Sequence, residues 1–142
     1  MKYLLDTCVL SECVKKSPNP LLSNWFNERD PKQLYVSSIT VAELQKGIFK
    51  IQHSQVERYQ KLQSWLKTIE HEFYSRILPI DDNVLHCWAK LCAHAELQGK
   101  KLAVMDSLIA ATALESNLIL VTRNVSDFEH TNVPLINPWQ LS

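Results

Sequence analysis

Leu118-Ile119-Leu120-Val121-Thr122-Arg123-Asn124 is the stretch that decides the fold. Four unbroken apolar residues followed by three polar ones read as a parallel strand, covered on both faces and ending in open loop. The chain begins the same way, with Tyr3-Leu4-Leu5 running into Asp6-Thr7. Leu34-Tyr35-Val36-Ser37 reads as another strand. Ile77-Leu78-Pro79-Ile80 is a short one, and its proline places it at an edge or a strand end. Val133 to Ile136 supplies a last short strand. Helical patterns fill the gaps. Thr7 to Val14 begins a helix broken near Pro18 and Pro20, and Leu21, Leu22, Trp25 and Phe26 fit one face of a short helix ending before Asp30-Pro31. Ser38 to Phe49 reads as a helix with Ile39, Leu44, Ile48 and Phe49 apolar. From Val56, the spacing of Tyr59, Leu62, Trp65, Leu66, Ile69 and Phe73 has a period near 3.6. Val84, Leu85, Trp88, Leu91, Cys92 and Ala95 line a helix stopped at Gln98-Gly99. Asp106 opens a small-residue helix from Ser107 to Glu115. Strands alternating with helices predict an α/β fold: a central, mostly parallel twisted sheet flanked by helices.

Four carboxylates stand where these apolar segments meet loop: Asp6, Glu43, Asp106 and Asp127. Ligands of an open α/β sheet bind outside the carboxyl ends of its strands. All four acids meet on one edge of the sheet if the strands of Leu5 and Val121 are neighbours. Each acid also has a purely structural role open to it. Thr40-Val41-Ala42-Glu43 matches a capping box. Asp106 suits a helix N-cap, as does Asp6, and Asp127 suits a turn that satisfies its own backbone. Their conjunction points further. Two carboxylates about 4 Å apart repel by roughly 4 kcal/mol at an effective dielectric near 20. A fold tolerates such a set when a hard cation such as Mg²⁺ or Mn²⁺ neutralises it. A cation of that kind held by carboxylates and water serves phosphodiester hydrolysis. Asn124 can join such a shell through its carbonyl oxygen. Thr7, Ser38 and Thr122 are candidate orienting hydroxyls.

The composition bounds the remainder. The 142 residues suit one domain, 1–142, large enough for a real core. Two glycines and six prolines leave no room for a flexible linker, and no repeat is visible. The acid at position 6 argues against a signal peptide, and no later run approaches a membrane span, so a cytoplasmic chain is expected. Net charge is zero, whereas a generic nucleic-acid binder is basic. An acid cleft offset by a cationic rim accounts for the neutrality, with Lys15, Lys16, Lys46, Lys50, Lys100, Lys101 and Arg123 as candidates. Arg123 carries most weight because it lies inside the acidic turn. Cys8, Cys13, Cys87 and Cys92 lack Cys-x-x-Cys spacing and read as buried free thiols. The five histidines, His53, His71, His86, His94 and His130, do not cluster near the acids.

The order Asp6, Glu43, Asp106, then Asn124 and Asp127, resembles the PIN-domain ribonucleases, and within them the VapC and FitB-like toxins of toxin–antitoxin pairs. The resemblance runs from Leu4-Leu5-Asp6-Thr7 through Glu43-Leu44, Gly47-Ile48, Ile77-Leu78-Pro79-Ile80-Asp81 and Asp106-Ser107-Leu108-Ile109-Ala110-Ala111-Thr112-Ala113. It continues through Leu120-Val121-Thr122-Arg123-Asn124 and Asp127-Phe128 to Ile136-Asn137-Pro138-Trp139. It implies a PIN-like α/β sandwich and a metal-dependent endoribonuclease acting on structured RNA such as tRNA or rRNA. Asp6, Glu43, Asp106 and Asp127 would be its catalytic acids. Asp6, Asp106, Glu43, Asn124 and Asp127 would hold Mg²⁺ or Mn²⁺. It also implies a VapB-like antitoxin whose tail lies between the helices Thr40–Phe49 and Val56–Phe73, and a homodimer. Trp65, Leu66, Trp88 and Phe26 cannot all be placed in one small core, which leaves apolar surface for such a dimer. Cys8 departs from the family pattern, which often has Asn there. The alternative is a non-catalytic PIN-like module that binds RNA or protein; Asn124, neutral at an acid position, favours it. An aspartyl-phosphate phosphatase is disfavoured, since it wants a second Asp where Cys8 stands.

Overall fold

The computed structural model describes residues 1–140, so the last two residues of the expected domain lie outside the described part. The first strand, β1 (Tyr3–Leu5), leads without a loop into α1 (Thr7–Cys13). Next come α2 (Pro20–Asn27), β2 (Leu34–Ser37), α3 (Ser38–Lys50) and α4 (Val56–Glu72). Then follow β3 (Ile77–Leu78), α5 (Asp82–Leu97), α6 (Val104–Glu115), β4 (Ile119–Val121) and β5 (Leu135–Ile136). Short 3₁₀ turns cover Pro31–Gln33, Tyr74–Arg76 and Val125–Phe128. The local chemistry explains the boundaries. Asp6, Asn19, Ser37 and Asp81 cap α1, α2, α3 and α5 by accepting early backbone N–H groups. Pro20 takes the first position of α2, where its missing N–H costs nothing. Beyond α5, Gly99 turns the chain at φ 74°, while Lys100 N–H donates to the Ala95 carbonyl at 2.8 Å.

The sheet order is β3-β2-β1-β4-β5, and every pairing is parallel. The chain winds outward from β1 to β3, then returns to the other side of β1 for β4. Alternation within each strand splits the core into two layers. Tyr3, Leu5, Leu34, Val36 and Val121 face α1 to α4, where they pack with Val9, Leu22, Leu44, Leu66 and Phe73. Leu4 and Leu120 face the opposite side with Ile109, Ala110, Ala113 and Phe128. The alanines of α6 let that helix lie close against the strands.

The structure corrects several expectations. α6 starts at Val104, with Ala103 as its N-cap, so Asp106 is its third residue and caps nothing. The backbone makes that start: the Ala103 carbonyl accepts Ser107 N–H at 2.9 Å, a bond no side-chain pattern announces. Leu66 is core, 1% exposed, with Trp65 and Phe26 half-buried against it, while Trp88 is half-buried elsewhere. Trp88 resolves its place by donating Nε1–H to Ser107 Oγ at 2.9 Å. Phe49, expected on an apolar face, is 53% exposed. The four cysteines are free but half-buried rather than buried. Gly47 lies within α3, where glycine costs about 1 kcal/mol relative to alanine.

Leu4 is fully buried in the central strand and should be among the costliest positions to truncate. Leu4→Ala is expected to lower unfolding free energy by about 2–5 kcal/mol in urea. Leu97→Ala, at a side chain 86% exposed, should change it by less than about 0.5 kcal/mol. Similar losses at the two sites would contradict a sheet covered on both faces.

Candidate active site at the switch point of the sheet

The strand order reverses between β1 and β4, and the crevice outside their carboxyl ends is where an α/β sheet presents a ligand site. Asp6 and Thr122 are the first residues past those two strands. Asp6 N–H donates to the Val121 carbonyl at 2.9 Å, and Thr122 N–H to the Ile136 carbonyl at 3.0 Å. Ladder bonds therefore fix both backbones. The Asp6 side chain is 6% exposed and doubly held. Its Oδ1 accepts Thr7 N–H at 2.8 Å, and its Oδ2 accepts the Thr122 hydroxyl at 2.8 Å. The fully buried Thr122 hydroxyl in turn accepts Asn124 N–H at 3.0 Å. It thus ties the turn after β4 to the acid after β1. Cys8 joins the same network: its thiol lies 3.7 Å from Asp6 Oδ2, and its sulfur accepts Arg123 N–H at 3.5 Å. Burial first, and Asp6 second, push the Cys8 thiol up from its ordinary value, so it stays protonated.

Glu43 comes from the second turn of α3, which abuts α1. It does not close a capping box, because Ser37 caps α3. Its Oε1 instead accepts the Thr7 hydroxyl at 2.7 Å, and that hydroxyl also lies 3.3 Å from Thr40 Oγ1. Of the expected hydroxyls, Thr7 and Thr122 hold acids; Ser38 holds none among the described residues. Asp106 projects from the first turn of α6, half-buried. Among the described residues no donor is placed on its carboxylate. Asp127 and Asn124 lie exposed in and before the Val125–Phe128 turn, with Asp127 N–H on the Asn124 carbonyl at 3.0 Å.

The electrostatics show which of these acids share a space. Loss of hydration pushes the Asp106 carboxyl from 3.8 up to about 6, and Asp6, Asp127 and Glu43 add to the shift in that order. Acids from three other segments distant in sequence thus load one carboxyl with negative charge. Among the described residues, no three His, Cys, Asp or Glu side chains are grouped so that they could hold an ion between them. The acids interact across a gap rather than closing on a point. That donor set fits an ion such as Mg²⁺, which keeps several waters and takes only one or two carboxylates directly. It does not fit an ion that needs three protein ligands at once.

The cationic rim divides. Lys15 and Lys16 line a groove of about 1000 Å³ between α1, α3 and α4 that also touches Thr7 and Glu43. Lys46 and Lys50 border a separate shallow pocket with Phe49. Arg123 lies with its guanidinium 5.7 Å from the centre of the Trp139 ring. Two groove features were not anticipated, Arg58 and Lys61 on its α4 wall; nor was the role of Glu12 beneath the α1–α2 loop. Glu12 is 8% exposed and accepts Lys15 Nζ at 2.9 Å and Asn19 N–H at 3.0 Å. A lone Glu on a short helix gives no pattern from which this role could be read.

Comparison with known proteins gives consistent results. The PIN domain family model matches residues 3–133. "Toxin FitB" of Neisseria gonorrhoeae is 33% identical over 138 residues, covering 96% of this chain and 97% of its own. "Ribonuclease VapC2" of Haemophilus influenzae is 35% identical and covers 98% of each chain. The crystal structure of FitAcB from Neisseria gonorrhoeae superposes with a TM-score of 0.91 at 35% identity, covering 98% of this chain and 99% of that one.

The crowding on Asp106 has a sign that can be checked without metal. Its folded-state value lies above the ordinary one, so its stabilising, protonated form is present at low pH and lost as pH rises from about 4 to about 6. In EDTA, Asp106→Asn should therefore match wild type in Tm near pH 4 and exceed it by roughly 2 °C or more above pH 7. A difference independent of pH would place Asp106 outside the field of the other acids.

Proposed function

The chain belongs to the PIN-domain family, in the branch of the FitB and VapC toxins, and on that premise we propose that it is the RNA-cleaving toxin of a toxin–antitoxin pair. The observation that carries the proposal is the Asp106 carboxyl, raised to about 6 with Asp6, Asp127 and Glu43 all acting on it at the switch point. Residues 1–142 are taken as one PIN domain working in the cytoplasm; no helix of the described residues is long and apolar enough to cross a membrane.

In this reading Asp6 and Asp106 would hold a divalent cation, Mg²⁺ or Mn²⁺, with Glu43, Asp127 and Asn124 around it. When bound, the cation supplies a lowered pKa for attacking water and neutralises charge on the phosphate. The chain's own groups do the rest. The Thr122 hydroxyl and Thr7 N–H fix both Asp6 oxygens, so that carboxylate serves to position. Among the described residues Glu43 is held through Oε1 alone, which leaves its Oε2 to take the proton that the attacking water gives up. Arg123, Lys15 and Lys16 hold backbone phosphates without reading sequence. Structured RNA such as tRNA or rRNA is the proposed substrate.

The groove between α1, α3 and α4 opens onto Thr7 and Glu43, which suits the tail of a VapB-like antitoxin. An arginine on that tail can pair with the acids bidentately and displace the cation. Exposed Leu85, Val104 and Met105 on α5 and α6 offer an apolar face for a homodimer. The second reading, a non-catalytic PIN-like module that binds RNA or protein, is favoured by neutral Asn124 and by the absence of a grouped ligand triad among the described residues.

Cleavage separates the two readings. With Mg²⁺ or Mn²⁺, wild type should cut total RNA, and Asp6→Asn and Asp106→Asn should each lose at least about 100-fold in rate while keeping native circular dichroism. Wild-type rates in both folded variants, or no cleavage by wild type in either metal, would leave the binding module as the better reading. Added Mg²⁺ should raise the Tm of wild type more than that of Asp106→Asn. Equal shifts would contradict a shared carboxylate site. Expressed alone, the chain should arrest growth and Asp6→Asn should not; harmless high-level expression of soluble wild type would sink the toxin assignment.

A further inference from the structure

Gly47 lies on the exposed face of α3, one turn beyond Glu43, and lines the groove. Its backbone is helical, not left-handed, so the φ angle does not require glycine. A Cβ built on it would meet no atom of this chain within 4 Å. Glycine there weakens the helix by roughly fivefold in its folding equilibrium relative to alanine, and nothing inside the molecule gains from it. The groove walls around it are specific. Leu44 and Ile48 flank it on α3, and Trp65 stands opposite on α4. Arg58 and Lys61 are exposed on the α4 rim, and neither is in an ion pair among the described residues.

We propose that Gly47 marks where the polypeptide of a partner comes into direct contact with the α3 backbone. The partner segment is amphipathic: apolar side chains seat against Leu44, Ile48 and Trp65, and acidic ones face Arg58 and Lys61. The bare backbone at Gly47 lets that segment approach closer than any side chain would allow, and so selects it by shape, while the unpaired cations select it by charge. This rests on the reading of the groove as the antitoxin site and adds to it which residues discriminate among partners. A groove walled throughout by side chains would hold every segment at a distance; the glycine admits, and so favours, one that packs directly on the α3 backbone.

The test uses the full chain and, as probe, the small protein encoded beside its gene, purified separately and titrated by calorimetry. Gly47→Ala should raise the Tm of the free chain by roughly 2–6 °C, since the helix gains and nothing is displaced. The same change should weaken the complex by about tenfold, and Gly47→Leu by more than about 100-fold. Arg58→Glu with Lys61→Glu should weaken it by about tenfold or more, and should do so less at high salt. Loss on charge reversal with full affinity in Gly47→Leu would leave the groove reading standing and overturn the inference. Full affinity in all variants, or no binding by wild type, would overturn both. A lowered Tm for free Gly47→Ala would show an internal need for glycine and also overturn it.

Discussion

Asp6 N–H reaches the carbonyl of Val121, the last residue of β4, at 2.9 Å and so carries the β1–β4 ladder one residue beyond β1. That bond places the first acid and the Thr122 hydroxyl side by side, and the remaining geometry of the crevice follows from their juxtaposition. The hydroxyl donates to Asp6 and accepts from Asn124, so the turn bearing Asn124 and Asp127 has little freedom relative to β1. Thr7, next along the chain, begins α1 and reaches Glu43 on α3. A pair of neighbouring parallel strands therefore sets three of the four acid positions through a single connected set of hydrogen bonds.

Asp106 is the member outside that set. It arrives on α6, from the opposite side of the sheet, held by the packing of Ile109, Ala110 and Ala113 rather than by a hydrogen bond. A half-buried carboxyl with no donor among the described residues and three acids nearby is unfavourable for the free protein, and the upward shift to about 6 expresses that cost. Positive charge entering the crevice relieves it, whether the charge is a metal ion or a guanidinium. Under the proposed function, the same electrostatic need would serve both cation binding and capture of a partner's arginine.

How much of this was legible in the sequence depended on the range of the interaction concerned. The strands Tyr3–Leu5, Leu34–Ser37 and Ile119–Val121 were readable because apolar runs bounded by polar residues are local signals. The neighbouring of β1 and β4 followed only as a condition for the acids to meet, since pairing across more than a hundred residues leaves no local trace. Asp106 was readable as an acid near the others but not as a residue inside α6, because Ala103 starts that helix with backbone alone. Glu43 satisfied a capping pattern that the fold does not use; a tertiary partner, Thr7, outcompeted the local one. The groove was foreseen between two helices, but its third wall, α1, and its cations Arg58 and Lys61 come from packing that periodicity does not encode.

The hydrogen bond from Thr122 to Asp6 spans 116 positions. During synthesis, β1 emerges from the ribosome first and then waits for most of the chain before its neighbour β4 exists. Until then the sheet has no switch point, Asp6 lacks its hydroxyl partner, and α6 has no finished surface to lie on. A nascent chain that stops short of β4 therefore lacks the ladder and the hydroxyl that fix Asp6, and the centre assembles only once β4 has been made. Topology alone therefore opens an interval in which the polypeptide exists but its acids have not yet been gathered beside one another.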